Sequence, residues 1–269
     1  MKFPHTCRVE IVNALIQITF HKPSFSTLPY QSLVEMASLS VDGFHTRSLR
    51  KADYQIDVVE QLGFETFQPK DSEDAYINYC KIKKSGHHVL YHHASLYHFH
   101  LLLRKILVGE VIRQKGVILH ASACNTGNGA VIFLAPSGGG KSTIIRELKD
   151  TYASLADDLV VLLPKNNKWH LYQIPNQEKA NWITYGNNNY PVLGMFFLEK
   201  SSQDYVNRLE NHAEIYSSLL KQTILRKKQN TREELASLPS LCSAVPFHTL
   251  YFKKQSLTLK ELILLNPPL

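Results

Sequence analysis

The sequence contains little cysteine and no long apolar run, and both shortages narrow the possible functions. Its 269 residues include four cysteines, at positions 7, 80, 124 and 242, and none of them forms a CxxC pair. Such wide spacing argues against a disulfide framework or a structural zinc site and predicts reduced thiols. No run approaches the roughly 18 apolar residues that span a bilayer, and the N-terminus lacks the apolar core of a secretory signal. We therefore expect a cytoplasmic protein without membrane association.

The charge balance is basic, with a formal net charge of +7 and a pI near 9.1. Such a balance favours acidic partners such as nucleic acid, an acidic peptide or a nucleoside triphosphate. The basic residues are spread along the chain, however, and their densest runs, 81–84 and 225–228, have no nucleic-acid recognition motif beside them. Solvated faces explain these runs, and no nucleic-acid partner is expected.

The hydrophobic pattern predicts an α/β protein in two parts. Residues 1–85 contain short apolar runs broken by turn formers, which indicates a β-rich N-terminal region with one helix. Apolar residues then recur every three or four positions from Leu96 to Arg113, which predicts a helix. Strands and helices alternate afterwards, so residues 86–269 are predicted to form a layered α/β domain. The predicted strands include 117–124, 130–136, 154–163, 191–200 and 247–254, and the predicted helices include 205–224, 231–241 and 256–265.

Six histidines are concentrated between positions 87 and 100. Histidines at these spacings can bind a transition metal. Residues 85–109 contain no cysteine or carboxylate that could complete such a site. We therefore favour a solvent-facing or partly buried histidine cluster.

A phosphate-binding loop is predicted at residues 135–143, APSGGGKST, after an apolar strand and before a helix. The sequence departs from GxxxxGK[ST] only in having Ala135 at the first position. Glycines allow backbone amides to surround phosphate oxygens, and the start of the following helix attracts anions. Lys141 can reach the β- and γ-phosphates, and the Ser142 hydroxyl can bind Mg²⁺. The predicted nucleotide-binding residues are Ser137, Gly138, Gly139, Gly140, Lys141, Ser142 and Thr143.

Two adjacent carboxylates, Asp157 and Asp158, interrupt the predicted apolar strand 154–163. Alternation along a regular strand would send them to opposite faces, whereas at a strand end or bulge both can approach one site. One can then bind Mg²⁺ and the other can accept a proton from an attacking hydroxyl. The spacing does not say which aspartate does which, and a solvated turn is the alternative explanation. His120 alone is more typical of a core or edge histidine than of a catalytic one.

Together, His120, the loop 135–143 and the Asp157–Asp158 pair resemble the catalytic domain of HPr kinase/phosphorylase, a relative of phosphoenolpyruvate carboxykinase. The segment 116–163 is more closely similar to HPr-kinase-like proteins of peptide-tailoring clusters, which include kinases of lasso-peptide precursors. The resemblance implies a P-loop kinase fold, ATP and Mg²⁺ as cofactors, and transfer of phosphate to a serine of a peptide or small protein. It also implies a homo-oligomer. The implied catalytic residues are His120, Lys141, Asp157 and Asp158, and the implied metal ligands are Ser142, Asp157 and Asp158.

The chain departs from that family after the aspartates. Residues 164–195 lack the Arg-Gly-rich signature associated with phosphorolysis, so neither that reverse reaction nor HPr as a substrate is expected. A second hypothesis is a non-catalytic module of the same fold that binds nucleotide and holds a peptide or an enzyme. Retention of Lys141, Ser142 and both aspartates favours the kinase.

Overall fold

The computed structural model of the protein describes residues 5–22, 28–59, 66–68, 76–91, 95–175, 182–224 and 231–253. Internal contacts divide the chain into unit 1, Met1–Leu107, and unit 2, Val108–Leu269. The division falls about twenty residues after the boundary predicted at residues 85 and 86, and those domain limits stay a prediction. The helix predicted at 256–265 lies outside the described residues.

Unit 1 is built on a five-stranded sheet in the order β1-β2-β3-β7-β6. The first two strands form an antiparallel hairpin, and α1 connects β2 to a parallel neighbour, β3. For the described residues before position 86, the prediction of short strands with one helix is confirmed. The elements are β1 (His5–Ile11), β2 (Ala14–Phe20), α1 (Leu28–Ser40), β3 (Tyr54–Val59), β4 (Thr66–Phe67), β5 (Tyr76–Ile77), β6 (Cys80–Lys84) and β7 (His87–Tyr91).

The helix α2 spans Leu96–Arg113, the bounds predicted from the apolar spacing. Its apolar stripe is buried because residues three and four positions apart share one face of a helix. The division between the two units falls within this helix. Among the described residues, no helix is both long enough and apolar enough to cross a membrane.

Unit 2 contains an eight-stranded mixed sheet with helices, so the α/β class predicted from the sequence is confirmed. Most predicted strands are present with small changes of bounds. Its elements are β8 (Val117–Asn125), β9 (Ala130–Leu134), α3 (Lys141–Leu148), β10 (Ala153–Ala156), β11 (Leu159–Lys165), β12 (Lys168–Tyr172), β13 (Asn189–Lys200), β14 (Tyr205–Leu209), α4 (His212–Gln222), α5 (Thr231–Leu235), α6 (Leu238–Ala244) and β15 (Phe247–Phe252).

Three predictions about unit 2 need correction. The segment 231–241 is not one helix, because a turn at residues 236 and 237 separates α5 from α6. The segment 205–224 is not one helix, because β14 pairs with β15 before Asn211 caps α4 through its side-chain oxygen. The segment 154–163 is likewise not one strand. It divides into β10 and β11, which both pair with β8, and Asp157 and Asp158 form the bend between them. A bend avoids burying both carboxylates inside a strand, where their desolvation would be costly.

One edge of the unit 2 sheet collects the ends of four strands that point the same way. β13 is parallel to both β9 and β15. β8 is antiparallel to β9 and to β10, so β10 also points in that direction. Across this part of the sheet the spatial order is therefore β10, β8, β9, β13 and β15. In α/β sheets, ligands commonly bind beyond the carboxyl ends of such strands.

Candidate functional site

The predicted site residues lie along this edge. The loop of residues 135–140 follows the carboxyl end of β9, and Asp157 and Asp158 follow the end of β10. His120 belongs to β8, next to Ala121, which pairs with Leu134, the last residue of β9. The antiparallel course of β8 thus brings His120 to the same edge as the loop.

Close packing determines the shape of the loop. Gly140 caps α3 in the left-handed region, at φ 104° and ψ 5°, and no side chain caps the amides of that helix end. A Cβ atom at Gly140 would lie 2.6 Å from Cζ of Phe252, so only glycine fits against that ring. A Cβ at Gly139 would lie 2.6 Å from Cβ of Ala135. The first amides of α3 are therefore available to an anion in the cavity beside them.

The ammonium group of Lys141 is held by the loop itself. Its Nζ donates to the carbonyl oxygen of Ala135 at 2.7 Å and to that of Pro136 at 3.2 Å. The hydroxyl of Ser122, buried in β8, donates to the Lys141 carbonyl at 3.3 Å and ties the start of α3 to the sheet. Burial lowers the pKa of Lys141, an effect opposed by the charges of Asp158 and Asp157. The lysine is thus positioned at the loop by backbone oxygens.

The two aspartates have different surroundings. Asp157 is half-buried and accepts a hydrogen bond from the Ser142 side chain. Burial raises the pKa of Asp157 and the charge of Asp158 raises it further, whereas Ser142, Arg146 and Lys141 act in the opposite direction. A raised pKa means that the ionised carboxylate is not fully compensated by its neighbours.

Asp158 is exposed and pairs with His120. His120 Nε2 lies 3.0 Å from Asp158 Oδ1. An ionised carboxylate can only accept, so Nε2 carries the shared proton in this arrangement. The pair lies at the wall of the cavity, where a proton can pass between these groups and a bound hydroxyl.

A single cavity of about 630 Å³ joins these groups, and its volume lies within the range of small-molecule sites. It brings together every predicted site residue except Gly139. The predicted residues that line it are His120, Ser137, Gly138, Gly140, Lys141, Ser142, Thr143, Asp157 and Asp158.

Four further lining residues were missed from the sequence: Lys200, Ser201, Phe252 and Lys253. They lie at or just beyond the ends of β13 and β15. A lysine at the end of an apolar strand is common, so the segment 191–200 gave no reason to select Lys200. The parallel pairing of β9 with β13 is the feature that would have identified it.

The oxygen donors at Asp157 and Ser142 suit Mg²⁺, which prefers carboxylate, hydroxyl, water and phosphate oxygens. The charge of the Asp157 carboxylate is incompletely compensated by its neighbours, and a bound cation would compensate it. In the described part of the chain, no group of three or more histidine, cysteine, aspartate or glutamate side chains is arranged to hold a metal ion by itself. Any Mg²⁺ at Asp157 and Ser142 would therefore need additional ligands from a bound phosphate or water.

Comparisons with known proteins give a family match and similarity to solved structures. The family model of the SynChlorMet cassette protein ScmC matches residues 80–253. No curated protein matches the chain. The solved structure of the Hpr(Ser) kinase/phosphatase from Coxiella burnetii is similar at 12% identity over 55% of this chain and 93% of that chain. The TM-score is 0.33, too low for the likeness to support a common fold.

The ScmC match includes β8, the loop, the aspartate pair, β13 and β15, so it covers all the residues that line the cavity. It also extends over more than half of the chain. The protein therefore belongs to the family of the SynChlorMet cassette protein ScmC.

Proposed function

We propose that the protein is a kinase that uses Mg-ATP to phosphorylate a serine hydroxyl of a peptide or small protein. One observation carries this proposal: Lys141, the carboxylate pair and the His120–Asp158 pair line one cavity beside the uncapped start of α3. Phosphoryl transfer requires little covalent chemistry from the protein. It requires fixed phosphates, compensation of their charge and a group that accepts the proton of the attacking hydroxyl.

The loop amides and the N-terminus of α3 bind the phosphate oxygens in this proposal, with Lys141 at the β- and γ-phosphates. To reach them, the Lys141 ammonium exchanges its hydrogen bonds with the Ala135 and Pro136 carbonyls for bonds to phosphate. The ammonium group bonds more strongly to a charged phosphate oxygen than to a neutral carbonyl oxygen, which favours the exchange.

The different surroundings of the aspartates suggest different roles. Asp157, bonded to Ser142 and incompletely compensated, is the metal ligand together with that hydroxyl. Mg²⁺ bound there would neutralise phosphate charge. Asp158, exposed and bonded to His120, is the proton acceptor. The sequence left these roles open.

In the transfer itself, the serine Oγ forms a bond to the γ-phosphorus while the bond from that phosphorus to the bridging oxygen breaks. ADP leaves with the electron pair of that bond. The hydroxyl proton goes to Asp158, and His120 orients the carboxylate through its Nε2 hydrogen bond. The products are a phosphoserine and ADP, so no other reactant is needed.

The test is transfer from γ-³²P-labelled ATP to the small serine-containing peptides encoded beside the gene, with Mg²⁺ present. We expect a labelled peptide, and a serine-to-alanine version of that peptide should stay unlabelled. Lys141→Ala and Asp158→Asn should each lower the rate of labelling by about a hundredfold or more. Asp150→Asn, which changes an exposed carboxylate outside the cavity, is the matched control and should label normally.

Binding of Mg-ATP without transfer to any peptide would contradict the kinase and favour a nucleotide-binding module. The absence of any nucleotide binding would contradict both functions. Replacing ATP with GTP in the same assay measures the base preference.

A further inference from the structure

The geometry points to Lys200 and Lys253 as the residues that bind the nucleoside end of the nucleotide, at the opposite side of the cavity from the aspartates, and to Phe252 as the residue that holds the loop beside them. This inference rests on the proposed function, because it assigns a direction to the nucleotide in that same cavity. None of these three residues was part of the predicted site.

The order of strands separates the two ends. β9 carries the loop at the middle, β10 delivers the aspartates on one side, and β13 and β15 deliver Lys200 and Lys253 on the other. Neighbouring strands lie about 4.8 Å apart, so the four spacings from β10 to β15 span roughly 19 Å. That length accommodates an extended nucleoside triphosphate lying across the loop.

The position of the proposed metal-binding residues indicates the direction in which the nucleotide lies in the cavity. A hydroxyl at the first turn of the helix and a nearby carboxylate would hold Mg²⁺, which would compensate the charge of the terminal phosphates. Ser142 and Asp157 are hydrogen-bonded to each other, which marks that end of the cavity. The γ-phosphate therefore faces β10, and the α-phosphate and ribose extend towards the ends of β13 and β15.

Charge supports the same direction. The aspartate end carries two carboxylates against Lys141, whereas the other end contributes the exposed lysines 200 and 253. Neither of these side chains forms an ion pair with a carboxylate in the described ranges. The Asp204 carboxylate accepts a hydrogen bond from the Lys253 backbone amide at 2.8 Å, and this contact fixes the backbone at that position. The two lysine ammonium groups at the end of the cavity away from the aspartates would therefore compensate the remaining negative charge of a triphosphate.

Phe252 has a different role from the two lysines. Its ring is buried, with 4% of its surface exposed, and lies against Gly140. It therefore forms the floor beneath the end of the loop, and it holds the loop where the lysines of β13 and β15 reach the bound nucleotide.

The experiment uses the full-length protein and periodate-oxidised ATP, whose ribose carries two aldehydes. An amine close to the ribose condenses with an aldehyde and releases water, and cyanoborohydride reduces the imine to a stable adduct. Mass spectrometry then locates the labelled lysine. We expect labelling of Lys200 or Lys253, prevented by excess Mg-ATP.

Matched variants separate charge from reactivity. A double variant with Lys200→Arg and Lys253→Arg keeps both charges, so it should bind ATP within about threefold of wild type but lose the label. Lys200→Gln and Lys253→Gln should each weaken ATP binding roughly tenfold, the usual effect of losing a charged hydrogen bond. Lys149→Gln changes an exposed lysine at the C-cap of α3, outside the cavity, and should bind ATP like the wild type.

A label on any other lysine, or normal ATP affinity in both glutamine variants, would overturn the inference. If the wild type transfers phosphate to a peptide while the glutamine variants behave normally, the inference fails and the proposed function survives. If the wild-type protein binds no ATP, both the inference and the proposed function are wrong.

Discussion

Each unit of the protein contains a carboxylate beside histidine, and the two arrangements differ in what surrounds the charge. In unit 1, the Asp57 carboxylate lies between two imidazoles, with His21 Nε2 3.1 Å from Oδ1 and His87 Nε2 2.6 Å from Oδ2. In unit 2, Asp158 has one histidine, His120, and a second carboxylate, Asp157, as its chain neighbour.

The pKa shifts of Asp57 in unit 1 and of Asp157 in unit 2 reflect this difference in surroundings. Burial raises the pKa of Asp57, but hydrogen bonds and charges from His21 and His87 prevail, and the net pKa lies below its usual value. Burial and a like charge prevail at Asp157, whose pKa is raised. A carboxylate with all its partners inside the fold stabilises the fold, whereas a carboxylate with an excess of negative charge is suited to an external cation.

The largest expected effect is on phosphoryl transfer. Replacing Asp158 with Asn removes the proton acceptor and keeps the size of the side chain, so transfer should fall by about 10² to 10⁴. The initial rate of peptide phosphorylation measures it. Asp57→Asn should retain that rate at a temperature where the variant is folded. Equal losses in both variants would contradict the functional distinction between the two carboxylates.

The second effect is on the stability of unit 1. Asp57→Asn replaces an acceptor of two hydrogen bonds with a group that can accept through only one atom. The free energy of unfolding should fall by roughly 1–2 kcal/mol, the usual result of losing a hydrogen bond to a charged group at a partly buried site. Urea denaturation followed by circular dichroism measures it. Glu35→Gln, an exposed change on α1, is the control and should unfold at the wild-type midpoint.

The third effect runs in the opposite direction. Asp157→Asn removes a like charge from the site, so the nucleotide-free protein should become more stable by up to about 1 kcal/mol. The same variant should lose the stabilisation that Mg-ADP gives the wild type, because the metal ligand is gone. Thermal unfolding with and without Mg-ADP measures both changes. A less stable nucleotide-free variant would show that the carboxylate is a structural group.

The smallest effect is the pH dependence of these stabilities. The Asp57 contribution should be present above the ordinary pKa of 3.8 and lost as pH falls through its lowered folded pKa. The raised pKa of Asp157 gives the opposite sign. Compared with Asp157→Asn, the wild type should keep its full stability below pH 3.8. It should lose stability as the pH rises through the pKa of Asp157 in the folded protein. Unfolding midpoints for wild type and both variants across acidic pH test these opposite slopes.

The local patterns of the sequence predicted much of the fold. The apolar stripe from Leu96 to Arg113 predicted α2, and the apolar runs at 117–124 and 130–136 predicted the strands β8 and β9. Local patterns failed at residues 205–209, where a helix was expected. The helix-like spacing there was overridden by pairing with β15, whose residues lie 38 to 46 positions later in the chain.

The sequence by itself determined the residue types of the candidate site, because a glycine-rich loop, a lysine and adjacent aspartates are chemically distinctive in any fold. It could not tell the two aspartates apart, since their environments depend on a bend between strands that both pair with β8. Nor could it select Lys200 and Lys253 from the other lysines. Only the tertiary structure decided their place, because parallel pairing of β9, β13 and β15 brings distant strand ends to one edge of the sheet.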